Sequence, residues 1–70
     1  MQAIFLTKEK GIELLKEGNS LTAHKSNMDT LRMEEGQITW MGRHDQGPTF
    51  LEEAAAKSLF RGRKWYVNLH

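Results

Sequence analysis

A chain of 70 residues with 10 Lys and Arg, 9 Asp and Glu and no cysteine makes one small domain, residues 1–70. Such a chain buries only about 60% of its unfolded surface, so association with further copies is a natural supplement to its small core. Lack of cysteine removes disulfides and thiolate metal sites, which fits a reducing cytoplasm and argues against a secreted scaffold, while a net charge of +1 is far from the balance of a strongly basic nucleic-acid module.

Met1 to Leu6 is apolar but gives way to Thr7-Lys8-Glu9-Lys10, too short and wrongly flanked for a signal peptide. No apolar run reaches membrane-spanning length. Residues 2–6 read as a short strand, or as a tail that tucks Ile4 or Phe5 into the core. A helix over about 8–17 follows. Thr7 offers the N-cap hydroxyl, Glu9 and Lys16 suit the dipole at either end, and Gly18 supplies a left-handed stop. Its buried stripe is Ile12 and Leu15 with Leu14 on the flank, and Gly11 costs it about 1 kcal/mol against alanine.

After Gly18 the period becomes two. Leu21 and Ala23 alternate with Ser20, Thr22 and His24, Leu31 and Met33 with Thr30 and Arg32, and Ile38 and Trp40 with Gln37, Thr39 and Met41. Turns are expected at Ser26 to Asp29 and at Glu34-Glu35-Gly36, where glycine accommodates the positive φ of a tight hairpin. Next comes the polar, glycine-bracketed loop Gly42 to Pro48, which runs into Thr49 and Glu52. Threonine followed three residues on by glutamate is the pattern of a capping box and predicts a second helix over about 50–60. Its core face would carry Leu51, Ala54, Ala55, Ser58 and Leu59, with Glu53, Lys57 and Arg61 on another face at ion-pair spacing. Lys64 to Leu69 closes the chain as a strand, Trp65, Val67 and Leu69 to one side and Tyr66 and Asn68 to the other.

The expected fold is α+β: an antiparallel four-stranded sheet, five-stranded if the N-terminal segment joins it, with two short helices packed on one face. Its wet face would show Thr22, His24, Arg32, Thr39 and Tyr66. The candidate ligand site is Arg43, His44, Gly47 and Thr49, where the start of the second helix would gather positive potential for an anion. A second candidate, for RNA or DNA, is Arg61, Arg63, Lys64 and Tyr66, because cations track phosphates and aromatic faces stack on bases. Against it, basic residues ordinarily gather at a helix C-terminus. His24, His44 and His70 show no ligand spacing, so no metal is expected. Glu34 and Glu35 share a solvated turn, and no serine lies in a nucleophile-elbow context, so no catalytic residue and no cofactor is expected.

The run Lys10 to Thr22, a short helix stopped at glycine and followed at once by an alternating strand, resembles the opening of many small phage and prophage proteins. It is similar to that of the phage anti-Thoeris sponges, which sequester cyclic nucleotide signals. The end of that family is echoed by Leu51 to Leu59 leading into Lys64-Trp65-Tyr66-Val67. The likeness is one of layout over about two thirds of the chain, and His24-Lys25-Ser26 stands where the family has a basic-tryptophan pair, so no binding residue is carried over. What the resemblance implies is a small phage-type protein that works by binding and sequestering, without turnover; joined to the lack of cysteine and the small core, it gives the expectation of a cytoplasmic homo-oligomer that holds a nucleotide-like anion near Arg43, His44 and Thr49. The alternative is an anti-CRISPR-like or other anti-host inhibitor or adaptor that meets a host protein through its sheet face or an edge strand. A weak nucleic-acid module is the second alternative.

Overall fold

A computed structural model describes residues 2–24, 29–42 and 49–68. Eight elements follow one another: β1 (Ile4–Phe5), α1 (Lys8–Lys16), β2 (Ser20–Ala23), β3 (Thr30–Glu34), β4 (Gln37–Met41), β5 (Thr49–Leu51), α2 (Glu53–Leu59) and β6 (Lys64–Asn68). The strands form one six-stranded sheet in the order β1-β6-β2-β3-β4-β5, and every neighbouring pair is antiparallel. The expected α+β class is the observed one. The sheet is wider than expected because residues 4–5 and 49–51 both pair.

Helix α1 begins and ends as its sequence dictates. The Thr7 hydroxyl accepts from the Lys10 amide at 3.1 Å, and Gly18 takes φ 99°, which lets the amides of Gly18 and Asn19 turn back to the carbonyls of Leu15 and Leu14 at 3.0 and 3.1 Å. The Asn19 side-chain amide also donates to the Leu14 carbonyl at 3.1 Å. Between β3 and β4 the chain reverses through Glu35 and Gly36, both left-handed at φ 52° and 78°, with Glu34 paired to Gln37. Positive φ at both central residues is what a type I′ hairpin requires. The turn expected at Ser26 to Asp29 lies, but for Asp29, outside the described residues.

The core comprises Leu6, Ile12, Leu15, Leu21, Ala23, Leu31, Ile38, Ala56, Phe60 and Trp65. Register explains the strand members: Leu21 faces Leu31 and Val67, and Ala23 faces Trp65, so one side of the sheet is apolar in adjacent strands. The helix α1 packs on β2, β3 and α2, and its buried residues Gly11, Ile12 and Leu15 include both members of the expected stripe. At the N-terminus Leu6 is buried, whereas Ile4 and Phe5 are exposed, so the residue that tucks in is the one after the strand.

The second helix corrects the expectation most. Thr49, Phe50 and Leu51 form β5, paired with Trp40, Thr39 and Ile38, and α2 starts only at Glu53, with Glu52 as N-cap and no side-chain cap bond. Thr49 is therefore not a helix cap, and no Thr49–Glu52 capping box exists. A β-branched and an aromatic residue beside an open strand gain more from pairing with it than from starting a helix. The shorter α2 is also rotated relative to the expected face. Ala56 and Phe60 are buried, and Leu59 and Leu51 half-buried, while Ala54, Ala55 and Ser58 are exposed. The predicted polar pair does form, with Lys57 Nζ 3.5 Å from Glu53 Oε1.

Gly11 also proves to have a packing role. A Cβ built there would lie 2.5 Å from the Phe60 ring, closer than any tolerable carbon contact, so the residue that weakens α1 as a helix is what allows α2 to dock. Helix propensity alone says that Gly11→Ala stabilises by about 1 kcal/mol. The overpacked ring reverses the sign: Gly11→Ala lowers stability by about 1–3 kcal/mol in urea denaturation, and a gain in stability contradicts this role.

Candidate functional site

Arg43, His44 and Gly47 lie outside the described residues. The fourth member of that candidate site, Thr49, sits in β5 opposite Trp40, separated from the first turn of α2 by Phe50, Leu51 and Glu52. The positive helix end invoked to hold an anion beside Thr49 is therefore absent from that position.

The basic run from Arg61 to Lys64 is split by the geometry of the chain. Arg63 Nη1 pairs with Asp29 Oδ2 at 3.6 Å, and its guanidinium lies 5.9 Å from the Trp65 ring centre. Lys64, one residue on, projects to the other side of the sheet, where its Nζ lies 5.3 Å from the Phe5 ring centre. Tyr66 shares that side and bonds His24 Nδ1 through its hydroxyl at 2.8 Å, ring against ring edge-on at 5.3 Å. Arg63 is thus set apart from Lys64 and Tyr66, which lie on the other side of the sheet. Arg61 lines a groove with Phe5, the residue whose ring Lys64 covers.

The side of the sheet away from the helices is polar, as alternation predicts, and its groups satisfy one another. Asn68 Nδ2 donates to Thr22 Oγ1 at 2.8 Å, the hydroxyls of Thr22 and Thr30 lie 3.5 Å apart, and Thr39 Oγ1 donates to the Arg32 carbonyl at 2.9 Å. Arg32 pairs with Glu34. Thr39, expected on a wet surface, is only 2% exposed, because a hydroxyl spent on a cross-strand carbonyl can be buried without loss. Cross-strand bonding of this kind rigidifies a surface and leaves few polar groups aimed outward.

Arg61 instead lines a groove of about 800 Å³ between the N-terminal arm and α2. Its apolar lining includes Phe5, Leu6, Ala54 and Phe60, and its polar lining Thr7, Lys8, Lys57, Ser58 and Arg61. Three cations and no carboxylate line it. Lys57 Nζ is held by Glu53 at 3.5 Å, whereas Lys8 and Arg61 have no ion-pair partner among the described residues. The first turn of α1, at Thr7 and Lys8, borders the groove and adds positive potential to it. Ser58 donates its hydroxyl hydrogen to the Ala55 carbonyl at 2.7 Å, which leaves the oxygen lone pairs rather than a proton for a ligand.

The groove arises from two local facts. Lys57 and Arg61 are four residues apart at the C-terminal end of α2, where cations complement the helix dipole. Pairing of Ile4 with Trp65 and Phe5 with Lys64 then carries the arm into α1 past that same end. Of the sequence candidates among the described residues, only Arg61 lies here. Lys8, Lys57, Phe5 and Phe60 were missed, and only the four-residue spacing of Lys57 and Arg61 signalled them. Among the described residues no group of three His, Asp or Glu is placed to hold a metal ion, and no helix is long and apolar enough to cross a membrane. The chain matches no known family model, no curated protein and no solved structure.

Arg61 and Arg63 differ sharply in what they hold. Asp29 is 8% exposed, and its Oδ1 is buried with no hydrogen-bond partner, so the Arg63 charge is its compensation. Arg63→Met leaves that carboxylate uncompensated and lowers stability by about 1–3 kcal/mol. Arg61→Met, at an exposed position, changes it by less than about 0.5 kcal/mol. Thermal melts of the two variants check this, and equal shifts contradict it.

Proposed function

We propose that this protein is a small non-enzymatic binding protein that sequesters a nucleotide-like anion in the groove between the N-terminal arm and α2. The observation that carries the reading is the groove's lining: Lys8, Lys57 and Arg61 around an apolar wall of Phe5, Leu6 and Phe60, without a carboxylate. A ligand that suits it has an apolar or aromatic body and at least one phosphate-like charge. Cavities of about 300–1,000 Å³ are the usual size for small-molecule sites, so the volume is adequate for a nucleotide.

Binding rather than turnover is supported by the chemistry present. The groove offers cations and hydroxyl oxygens, and the described histidine, His24, is committed to Tyr66 on the opposite side of the sheet. A general base within reach of the Ser58 or Thr7 hydroxyl would be needed for hydrolysis, and the groove's lining contains no histidine or carboxylate. The likeness in layout to phage cyclic-nucleotide sponges points the same way.

Isothermal titration with a panel of cyclic and linear nucleotides tests the proposal. Saturable heat is expected with at least one of them, and Arg61→Ala weakens that binding by about 1.5–3 kcal/mol, the usual worth of a hydrogen bond to a charged group, without lowering the melting temperature. Absence of heat from every nucleotide at tens of micromolar protein overturns the reading. So does binding that Arg61→Ala leaves unchanged.

A further inference from the structure

Among the described residues the two edges of the sheet are guarded differently. At strand β1 the ammonium of Lys64, from the neighbouring strand, lies over the Phe5 ring; a lysine at an edge is one of the usual means by which it is kept from pairing with another chain. Strand β5 has 3 residues, Thr-Phe-Leu, with no charge and no proline. Its Phe50 is 60% exposed, and Met41 beside it on the same side of the sheet is 39% exposed. A hollow of about 340 Å³ that includes Met33, Ile38, Phe50 and Leu51 in its lining adjoins this edge.

We propose that β5 is a self-association edge, through which two copies of this chain join as an antiparallel β5–β5 pair centred on Phe50. A second copy fits the edge by its own composition. Centred in this way, Phe50 faces Phe50 and Thr49 faces Leu51, so an uncharged strand meets an uncharged strand and no ionised group enters the pair. A residue-centred twofold axis satisfies the requirement that an isologous interface be complementary to itself. Charge does not oppose it. The chain's net charge is only +1, and nearly neutral proteins associate readily. Glu52, which follows each strand, is carried to opposite ends of the pair, about 14 Å from its counterpart at about 3.4 Å per residue, beyond the screening length of about 8 Å at physiological salt. Glu53 is already neutralised by Lys16 at 3.6 Å and Lys57 at 3.5 Å.

A strand this short buries less than the roughly 1,200 Å² at which stable interfaces begin, so the dimer is weak and its population depends on concentration. The groove lies toward the other edge, near β1, and the two surfaces are independent. Sedimentation velocity of the intact chain from about 20 µM to about 1 mM tests the proposal, since mass action must shift the weight-average mass toward that of a dimer as concentration rises. Phe50→Lys, a change at an exposed position, abolishes the shift while circular dichroism shows the fold retained. Phe5→Lys, at the guarded edge, leaves the shift intact. A mass that stays monomeric across the range overturns the proposal, as does association that survives Phe50→Lys or is lost with Phe5→Lys.

Discussion

Phe60, set into the space that Gly11 leaves open, is the contact on which the remaining structure depends. Its ring is 1% exposed, touches α1 where a Cβ would intrude to 2.5 Å, and meets Trp65 edge-on with ring centres 5.3 Å apart. One side chain therefore joins three elements: the end of α2, the middle of α1 and the start of β6. Helix α2 has 7 residues and no side-chain cap, too little to persist without tertiary support, and Ala56 and Phe60 are its fully buried anchors. Trp65 in turn is fully buried and fixes β6 between β1 and β2 through its pairing with Ile4 and Ala23.

The groove is a consequence of the same contact. With Phe60 held inward, its ring becomes part of the apolar wall. The residues that flank it in sequence, Lys57 before and Arg61 after, are left at the rim. The β1–β6 pairing brings Lys8 to the facing rim. Positive charge is thus concentrated by backbone topology in a chain whose totals are almost balanced, and a nearly neutral composition proved no guide to local potential. The opposite side of the sheet shows the converse. It gathers polar residues, yet His24, Tyr66, Thr22, Thr30 and Asn68 bond to one another and hold little unspent capacity for a partner.

Much of this architecture could be read from residue order. The period of two marks β2, β3, β4 and β6 correctly, and Gly18 and Gly36 stand where left-handed backbone is needed. Thr7 caps α1 as its hydroxyl and position require. What could not be read were events that depend on a distant partner. The Thr49 to Glu52 stretch has the local pattern of a helix start, but β4 presents an unpaired edge to it, and the sheet wins because three residues of pairing are gained at once. That pairing removed the helix start at Thr49 on which the Arg43, His44, Gly47 and Thr49 site was argued. Gly11 looked like a flaw in an amphipathic helix because the ring that fills its place lies 49 residues away in sequence. The groove was illegible for the same reason: its cations come from residues 8, 57 and 61, which only the folded topology brings together.

The most direct measurement is the proton NMR signature of Gly11. An aromatic ring packed over a glycine Cα shifts its α-protons by ring current and gives strong through-space cross-peaks to the ring protons. The structure predicts both for Gly11 with Phe60, in the wild-type chain and without any substitution. Gly11 α-protons at ordinary helical shifts, with no cross-peak to the Phe60 ring, would contradict the docking of α2 on α1 and with it the groove built on that contact.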